Sequence, residues 1–386
     1  MTAPRPRTIF ISAGDISGDQ HAAGLIERCD RILPATEWSG LGGEALRAAG
    51  CRLLVPPESD PAIGFRRVIG RLPYYIGLLA RIQRYLALTR PDLVILVDYP
   101  GLNLQIARLA SRLGLPVLYF ICPQYWAWAP WRVRRFVRLV DKALVIFPFE
   151  ADYFGSRGVD TTYIGHPLCD RTSAERGNLG DRPADGDRSI LALLPGSRKH
   201  EVSNNLPVML ATARQLGEHH PRLVPTVAHQ RPECLELARQ IAGDHRVTIE
   251  TRQESVYRTA RAARLALVAS GTATLEVALS GTPLVVVYRV SPMAHRLAPR
   301  LLTVPWFCQV NLMAGAEIVP EMLLSDDRPD PLIPICRALL DDRGERRKMI
   351  ERLAIFRERH EKPGALERAA REVVRMVNVD ALSASE

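Results

Sequence analysis

Four short stretches carry side chains whose type and spacing could do chemistry. In "DLVILVDYPGLN" an apolar run ends at Asp98. A carboxylate at the carboxyl end of a strand stands where open α/β sheets hold ligands, and it can accept a proton from an attacking hydroxyl. Read from these residues alone, Asp98 serves as readily to cap the turn before "YPGLN". In "LALLPGSRKHEV" a strand gives way to Pro195-Gly196-Ser197-Arg198. Gly196 lets the backbone approach a ligand, and the Arg198 guanidinium can fork onto two phosphate oxygens. In "LVASGTATLEVAL" a strand meets Ser270-Gly271-Thr272 and a helix begins at once. The N–H groups and dipole of that start suit an anion, although Ser-Gly-Thr is also an ordinary N-cap. Glu276, one turn further on, stands where a carboxylate accepts bonds from ribose hydroxyls.

The fourth stretch is "TIFISAGDISGDQHAAGLI", residues 8–26. It has the outline of a nucleotide-binding strand–turn–helix, yet Asp15 and Asp19 lie where a phosphate would go. Asp15, Ser17, Gly18 and Asp19 are better placed to hold the polyol part of a substrate or to shape a cleft, with a plain helix cap as the alternative. Neither G-x-x-x-x-G-K-[ST] nor G-x-G-x-x-G occurs. Two anion-suited turns without a lysine loop point to a nucleotide diphosphate held as in nucleotide-sugar enzymes.

The elements that must position these residues alternate short apolar runs with helix-like segments. "TIFISA", "DLVILVDYP", "PVLYFIC" and "KALVIFPF" in the first half are rich in Val, Ile and Leu, and so are "ILALLPG", "RLVPTVA", "RVTIE", "LALVAS" and "PLVVVYR" in the second. Runs of this kind predict parallel sheets covered on both faces. Residues 171–189 are rich in turn formers and are expected to be a linker. The expected organisation is a first Rossmann-like domain over 1–170 and a second over 190–340. A charged helical segment over 341–386 follows, free to pack back on the first domain. The fold class is α/β, two doubly wound domains facing across a cleft.

A chain of 386 residues is long enough for two cores, and its net charge of +9 favours an anionic partner or reflects a general preference for Arg. Its seven cysteines are scattered and never form C-x-x-C, which argues against a disulfide framework or zinc site and for a reducing compartment. "MTAPRPRTIF" reaches its first strand without room for a signal peptide, and no run of 18 uncharged apolar residues occurs. The expectation is a cytosolic protein with at most peripheral membrane contact.

These motifs, with "GLGGEALRAAG", "CPQYWAW" followed by "RVRRF", "FPFE", "YIGHPLCD" and "NLMAG", occur in the order of the lipid-A-disaccharide synthase family, which the chain resembles over residues 8–320. The resemblance implies an inverting glycosyltransferase of the GT-B type. It would join UDP-2,3-diacylglucosamine to 2,3-diacylglucosamine 1-phosphate, giving a β(1→6) disaccharide and UDP. It makes Asp98 the general base, with Gly196, Ser197, Arg198, Ser270, Gly271, Thr272, Glu276 and Asn311 on the nucleotide sugar. Asp15, Ser17, Gly18, Asp19, Asn103 and His166 are assigned to the acceptor and cleft, although a lone His is more commonly packed. No metal or cofactor is expected. The chain departs from the family pattern at Asp15, usually Glu, at Leu102, usually an aromatic, at Gln124-Tyr125, and at Cys308-Gln309-Val310, usually Ser-Leu-Pro.

Residues 61–86, "PAIGFRRVIGRLPYYIGLLARIQRYL", interleave arginines with Phe65, Val68, Ile69, Leu72, Tyr75 and Ile76. That pattern suits an anionic membrane face or an acyl trough, or else an ordinary buried helix face. With the family's acylated substrates in view, it is read as contact with the cytoplasmic face of the inner membrane. Trp126 and Trp128 are read as packing. The competing readings are another GT-B enzyme (an epimerase or muramyl-type transferase), a non-catalytic nucleotide-sugar or lipid binder, and a nucleic-acid binder motivated by charge alone. No nucleic-acid partner is expected, and the chain is read as a monomer or homodimer.

Overall fold

The run LVILV at residues 93–97 becomes a strand buried at every position. Its β-branched and leucine side chains meet helices on both faces, each contributing about 1.5–3 kcal/mol by leaving water. The computed structural model describes residues 6–56, 72–128, 130–179, 189–301 and 303–383. Thirteen strands among these residues form two sheets, of seven and six strands, paired in parallel throughout.

The first sheet comprises β1 (Thr8–Ala13), β2 (Glu37–Leu41), β3 (Arg52–Leu53), β4 (Leu93–Val97), β5 (Val117–Phe120), β6 (Lys142–Val145) and β7 (Asp160–Tyr163), in the order β3-β2-β1-β4-β5-β6-β7. The chain runs outward from β1 and returns to pair β4 on its other side, so the order reverses between β1 and β4. Ala13 pairs Val97 there, which sets Gly14 level with Asp98 at the carboxyl edge. Phe10, Ile82, Val94, Tyr119, Phe136 and Phe154 belong to the core on one face of this sheet.

The second sheet comprises β8 (Ser189–Leu194), β9 (Leu223–Ala228), β10 (Glu250–Arg252), β11 (Ala263–Ala269), β12 (Leu284–Arg289) and β13 (Glu321–Leu324), in the order β10-β9-β8-β11-β12-β13. Here the reversal lies between β8 and β11. Leu194 pairs Val268, which sets Gly196 level with Ser270.

The chain divides into one unit of Met1–Pro167 with Pro363–Glu386 and a second of Leu168–Lys362. The expected linker at 171–189 is replaced in its first half by helix Leu168–Leu179, which belongs to the second unit and buries Thr172. Its composition is polar because much of the helix faces solvent. Residues 180–188 of that stretch lie outside the described residues. The segment expected over 341–386 is shared: helix Arg343–His360 groups with the second unit, and helix Ala365–Ser383 with the first. Arg368 Nε donates to Ile164 O at 2.8 Å, and Glu372 pairs with Lys142 at 2.9 Å. All seven cysteines are buried thiols. No described helix is long and apolar enough to cross a membrane.

Candidate active site

Open parallel sheets hold ligands beyond their carboxyl edge where the strand order reverses. Of the residues singled out in the sequence, Asp15, Ser17, Gly18, Asp19 and Asp98 follow the strands at one such point, and Gly196, Ser197, Arg198, Ser270, Gly271 and Thr272 those at the other. His166 instead follows the edge strand β7, and Asn311 lies in helix Gln309–Ala314. Beyond β4, Asp98 and Tyr99 both take left-handed backbone, with φ of +47° and +45°. A non-glycine residue there costs on the order of 1–3 kcal/mol and persists only where its surroundings enforce it. The Asp98 carbonyl accepts from Tyr119 Oη at 2.6 Å and from Asn103 Nδ2 at 2.8 Å. The Tyr99 ring lies over Gly14, whose missing side chain makes that approach possible.

Asn103 was assigned to the acceptor. It is fully buried, with Nδ2 on backbone carbonyls of Val97 and Asp98 and Oδ1 on the Ser12 hydroxyl, so its amide is engaged inside the fold. Asp19 is similar: it is buried, and its oxygens accept from the N–H groups of Gly43, Ala45 and Leu46 at 2.7, 2.9 and 3.2 Å. It thereby caps helix Glu44–Ala48, whose N-cap, Gly43, has no side chain for the purpose. Asp15 caps its own helix, Ile16–Ile32, accepting from Gly18 N at 2.7 Å. Ser17 is exposed and bonds His21. The acidic turn is thus mainly capping, the alternative reading above. His166 is 4% exposed and edge-on to Phe147, a packed histidine.

A second buried carboxyl lies near Asp98. Glu150 is fully buried and accepts from Trp126 Nε1 at 3.0 Å, Phe147 N at 3.1 Å and Ile146 N at 3.3 Å. Burial pushes it up to about 7 against those donors, and the Asp98 charge adds to the rise. Trp126 packs edge-on against Phe147 and Phe149, while the side chain of Trp128 lies outside the described residues.

Beyond β8, Gly196 has φ of +125°, and a Cβ there would meet Glu201 at 2.6 Å. Glu201 Oε2 accepts from Ser197 N at 2.7 Å and Arg198 N at 3.2 Å. The backbone donors expected to receive a phosphate are therefore on a carboxylate, and the turn presents its anion-binding capacity through the half-exposed Arg198 guanidinium. Beyond β11, Gly271 is the N-cap of helix Thr272–Ser280 and has no side-chain cap, which leaves a helix start suited to an anion. The Ser270 hydroxyl donates to Phe307 O at 3.0 Å.

Glu276 lies in that helix, 6% exposed, with Oε1 on Arg171 at 2.6 Å. The Tyr257 backbone N–H also faces its carboxylate. Burial raises its affinity for a proton, opposed by Arg171. Asn311 was assigned to the nucleotide. It is fully buried: Nδ2 donates to Val319 O at 2.9 Å, and Oδ1 accepts from Ile318 N and Val319 N, so it braces its own loop. Sequence reading missed Tyr119, Glu150, Arg171 and Glu201. Glu150 and Glu201 each carried a local signal, an acid three residues after the N-cap.

Of the membrane residues, Phe65, Val68 and Ile69 lie outside the described residues. Leu72 opens helix Leu72–Thr89, its side chain likewise outside. Tyr75 is half-buried beside Tyr99, and Ile76 is 61% exposed. No group of three His, Cys, Asp or Glu able to hold a metal occurs among the described residues.

The family model described as lipid-A-disaccharide synthetase matches residues 9–373. The lipid-A-disaccharide synthase of Acidobacterium capsulatum is 37% identical over 373 residues, 92% of each chain. That of Geobacter sulfurreducens is 34% identical over 386 residues, 98% of this chain and 99% of the other. The S. aureus MnaA–UDP co-structure has a TM-score of 0.65 at 14% identity, covering 96% of this chain and 97% of that one. Acinetobacter baumannii MurG has a TM-score of 0.57 at 17% identity, covering 96% and 99%. These two share the fold, which is of the GT-B type.

Proposed function

This chain belongs to the lipid-A-disaccharide synthetase family, a family of glycosyltransferases, and from that premise we propose that it joins UDP-2,3-diacylglucosamine to 2,3-diacylglucosamine 1-phosphate. The products are a β(1→6) disaccharide and UDP. The acceptor's 6-hydroxyl attacks the anomeric carbon from the side opposite UDP, the bond to the diphosphate oxygen breaks, and configuration inverts. Asp98 takes the hydroxyl proton as the new bond forms. The electron pair leaves with UDP, whose charge is stabilised by the helix start at Gly271 and the Arg198 guanidinium.

The observation that carries this reading is the placing of Asp98. It is half-buried, in enforced left-handed backbone, at the point where the first sheet reverses its strand order. The helix start without a side-chain cap at the matching point of the second sheet supports a diphosphate there, with Glu276 one turn further on. The chain's own residues supply the base and the anion-binding groups in this scheme.

Peripheral contact with the anionic cytoplasmic face of the inner membrane is part of the proposal. Helix Leu72–Thr89 exposes Tyr74 (43%) and Ile76 (61%). A groove of 660 Å³ lined by arginines 134, 138 and 157 opens beside Trp131, which is 69% exposed. Exposed apolar side chains beside arginines suit an acidic lipid surface.

The test is an assay of the purified protein with both diacylated glucosamine substrates. UDP and disaccharide must appear together, in equal amounts, and only when both substrates are present. UDP without disaccharide, or neither product, would rule the reading out.

A further inference from the structure

Asp98 and Tyr99 form a left-handed pair without a glycine, and other elements hold it. The Asp98 carbonyl is gripped from two directions. Tyr119 reaches it from β5, and Asn103 from helix Pro100–Arg112. The two hydrogens of Asn103 Nδ2 are shared among Asp98 O at 2.8 Å, Val97 O at 3.0 Å and Ser12 O at 3.3 Å. Ser12 Oγ fixes the amide from its other end, donating to Oδ1 at 2.7 Å. Ser12, Asn103 and Tyr119 are all fully buried, so no solvent competes for these bonds.

We propose that Asn103 and Tyr119 are positioning residues for the transfer: together they turn the Asp98 carbonyl into the fold and so fix where the Asp98 carboxylate stands. This rests on the reading of Asp98 as the base. A strand that simply ran on would not need two side chains on one carbonyl, and its terminal residue would keep extended backbone. Here the chain turns out of the sheet at Asp98, and the polar groups that force the turn come from β1, β5 and the following helix. A shift of about 1 Å in the base is enough to cost on the order of 100-fold in rate, so the grip on the backbone controls turnover without touching substrate.

The experiment is a cycle of Tyr119→Phe with Asp98→Asn. Tyr119→Phe removes one oxygen and leaves the ring against Phe136, at a centroid distance of 5.1 Å. Steady-state rates are measured with both diacylated glucosamine substrates. The expected result is a kcat lower by about 10- to 100-fold with KM for both substrates unchanged within about two-fold. In the Asp98→Asn background the same change costs nothing further, because the group being positioned is gone. Asn103→Ala is expected to follow the same pattern; should it fail to fold, Tyr119→Phe decides alone. Wild-type turnover in Tyr119→Phe overturns the positioning role. So does an equal loss in the wild-type and Asp98→Asn backgrounds, which would mark Tyr119 as an independent structural tie. Full turnover in Asp98→Asn by itself overturns the base and the positioning role together, and is thereby distinguished from the first two results.

Discussion

The ring of Tyr99 lies so close over Gly14 that a methyl group on Gly14 would come within 2.1 Å of Tyr99 Cδ1 and 2.7 Å of its Cβ. The opening turn and the residue after Asp98 are therefore fitted to each other. Gly14→Ala must push Tyr99 aside and disturb the left-handed pair. It is expected to lower stability by about 1–3 kcal/mol and to slow turnover. The stability loss should shrink when Tyr99 is also replaced by alanine. Urea unfolding of the two single variants and the double variant checks this; strict additivity would show that the contact does not carry the effect.

Asp98→Asn keeps the shape of the side chain and removes its ability to take a proton. Turnover should fall by about 10²–10⁴-fold while UDP binding, followed by calorimetry, stays as in the parent. A variant that turns over normally removes Asp98 from the mechanism.

Arg198→Ala should mainly weaken UDP binding, by about 10-fold or more, the loss expected for a hydrogen bond to a charged group. The Ser197 and Arg198 N–H groups already serve Glu201, so little compensation is available from the turn itself. Unchanged UDP affinity would move the diphosphate away from this turn.

Glu150 makes stability depend on pH. Its folded-state value of about 7 lies above the ordinary 4.5, so the folded protein holds this proton more tightly than the unfolded chain does. That contribution is fully present below about pH 4.5 and is lost as pH rises through about 7, in total about 3 kcal/mol. Relative to Glu150→Gln, the wild-type protein should lose stability between about pH 5 and about pH 8. Parallel pH profiles for the two proteins would show that Glu150 does not titrate in this range.

Replacing Phe65, Val68, Ile69, Leu72 and Ile76 with serine should reduce sedimentation with anionic liposomes. Partition between soluble and liposome fractions is the measurement. No change in it would refute the membrane reading of this segment.

Much of the architecture was legible in the chain. Alternation of β-branched runs with amphipathic segments is a local property, and it announced two parallel sheets. Turn chemistry at Gly196 and Gly271 is also local, and both glycines do take the positive φ that only glycine adopts freely. The helix at Leu168–Leu179 escaped notice because its polar composition matches that of a linker, and only tertiary contact distinguishes the two.

What side chains do at the carboxyl edges was not legible, because their partners are far away along the chain. Asn103 meets Ser12 across 91 positions, Arg171 meets Glu276 across 105, and Asp19 meets Gly43 across 24. The sequence by itself determined most of the strands, where β1, β4, β8 and β11 end and which residues stand at those ends. The tertiary structure alone decided that β1 lies beside β4 and β8 beside β11. It also decided which polar groups are drawn inside as caps and clamps and which are left at the edge for a ligand. The physical reason is that buried donors and acceptors must find partners, and strand order, not sequence distance, sets which partners are within reach.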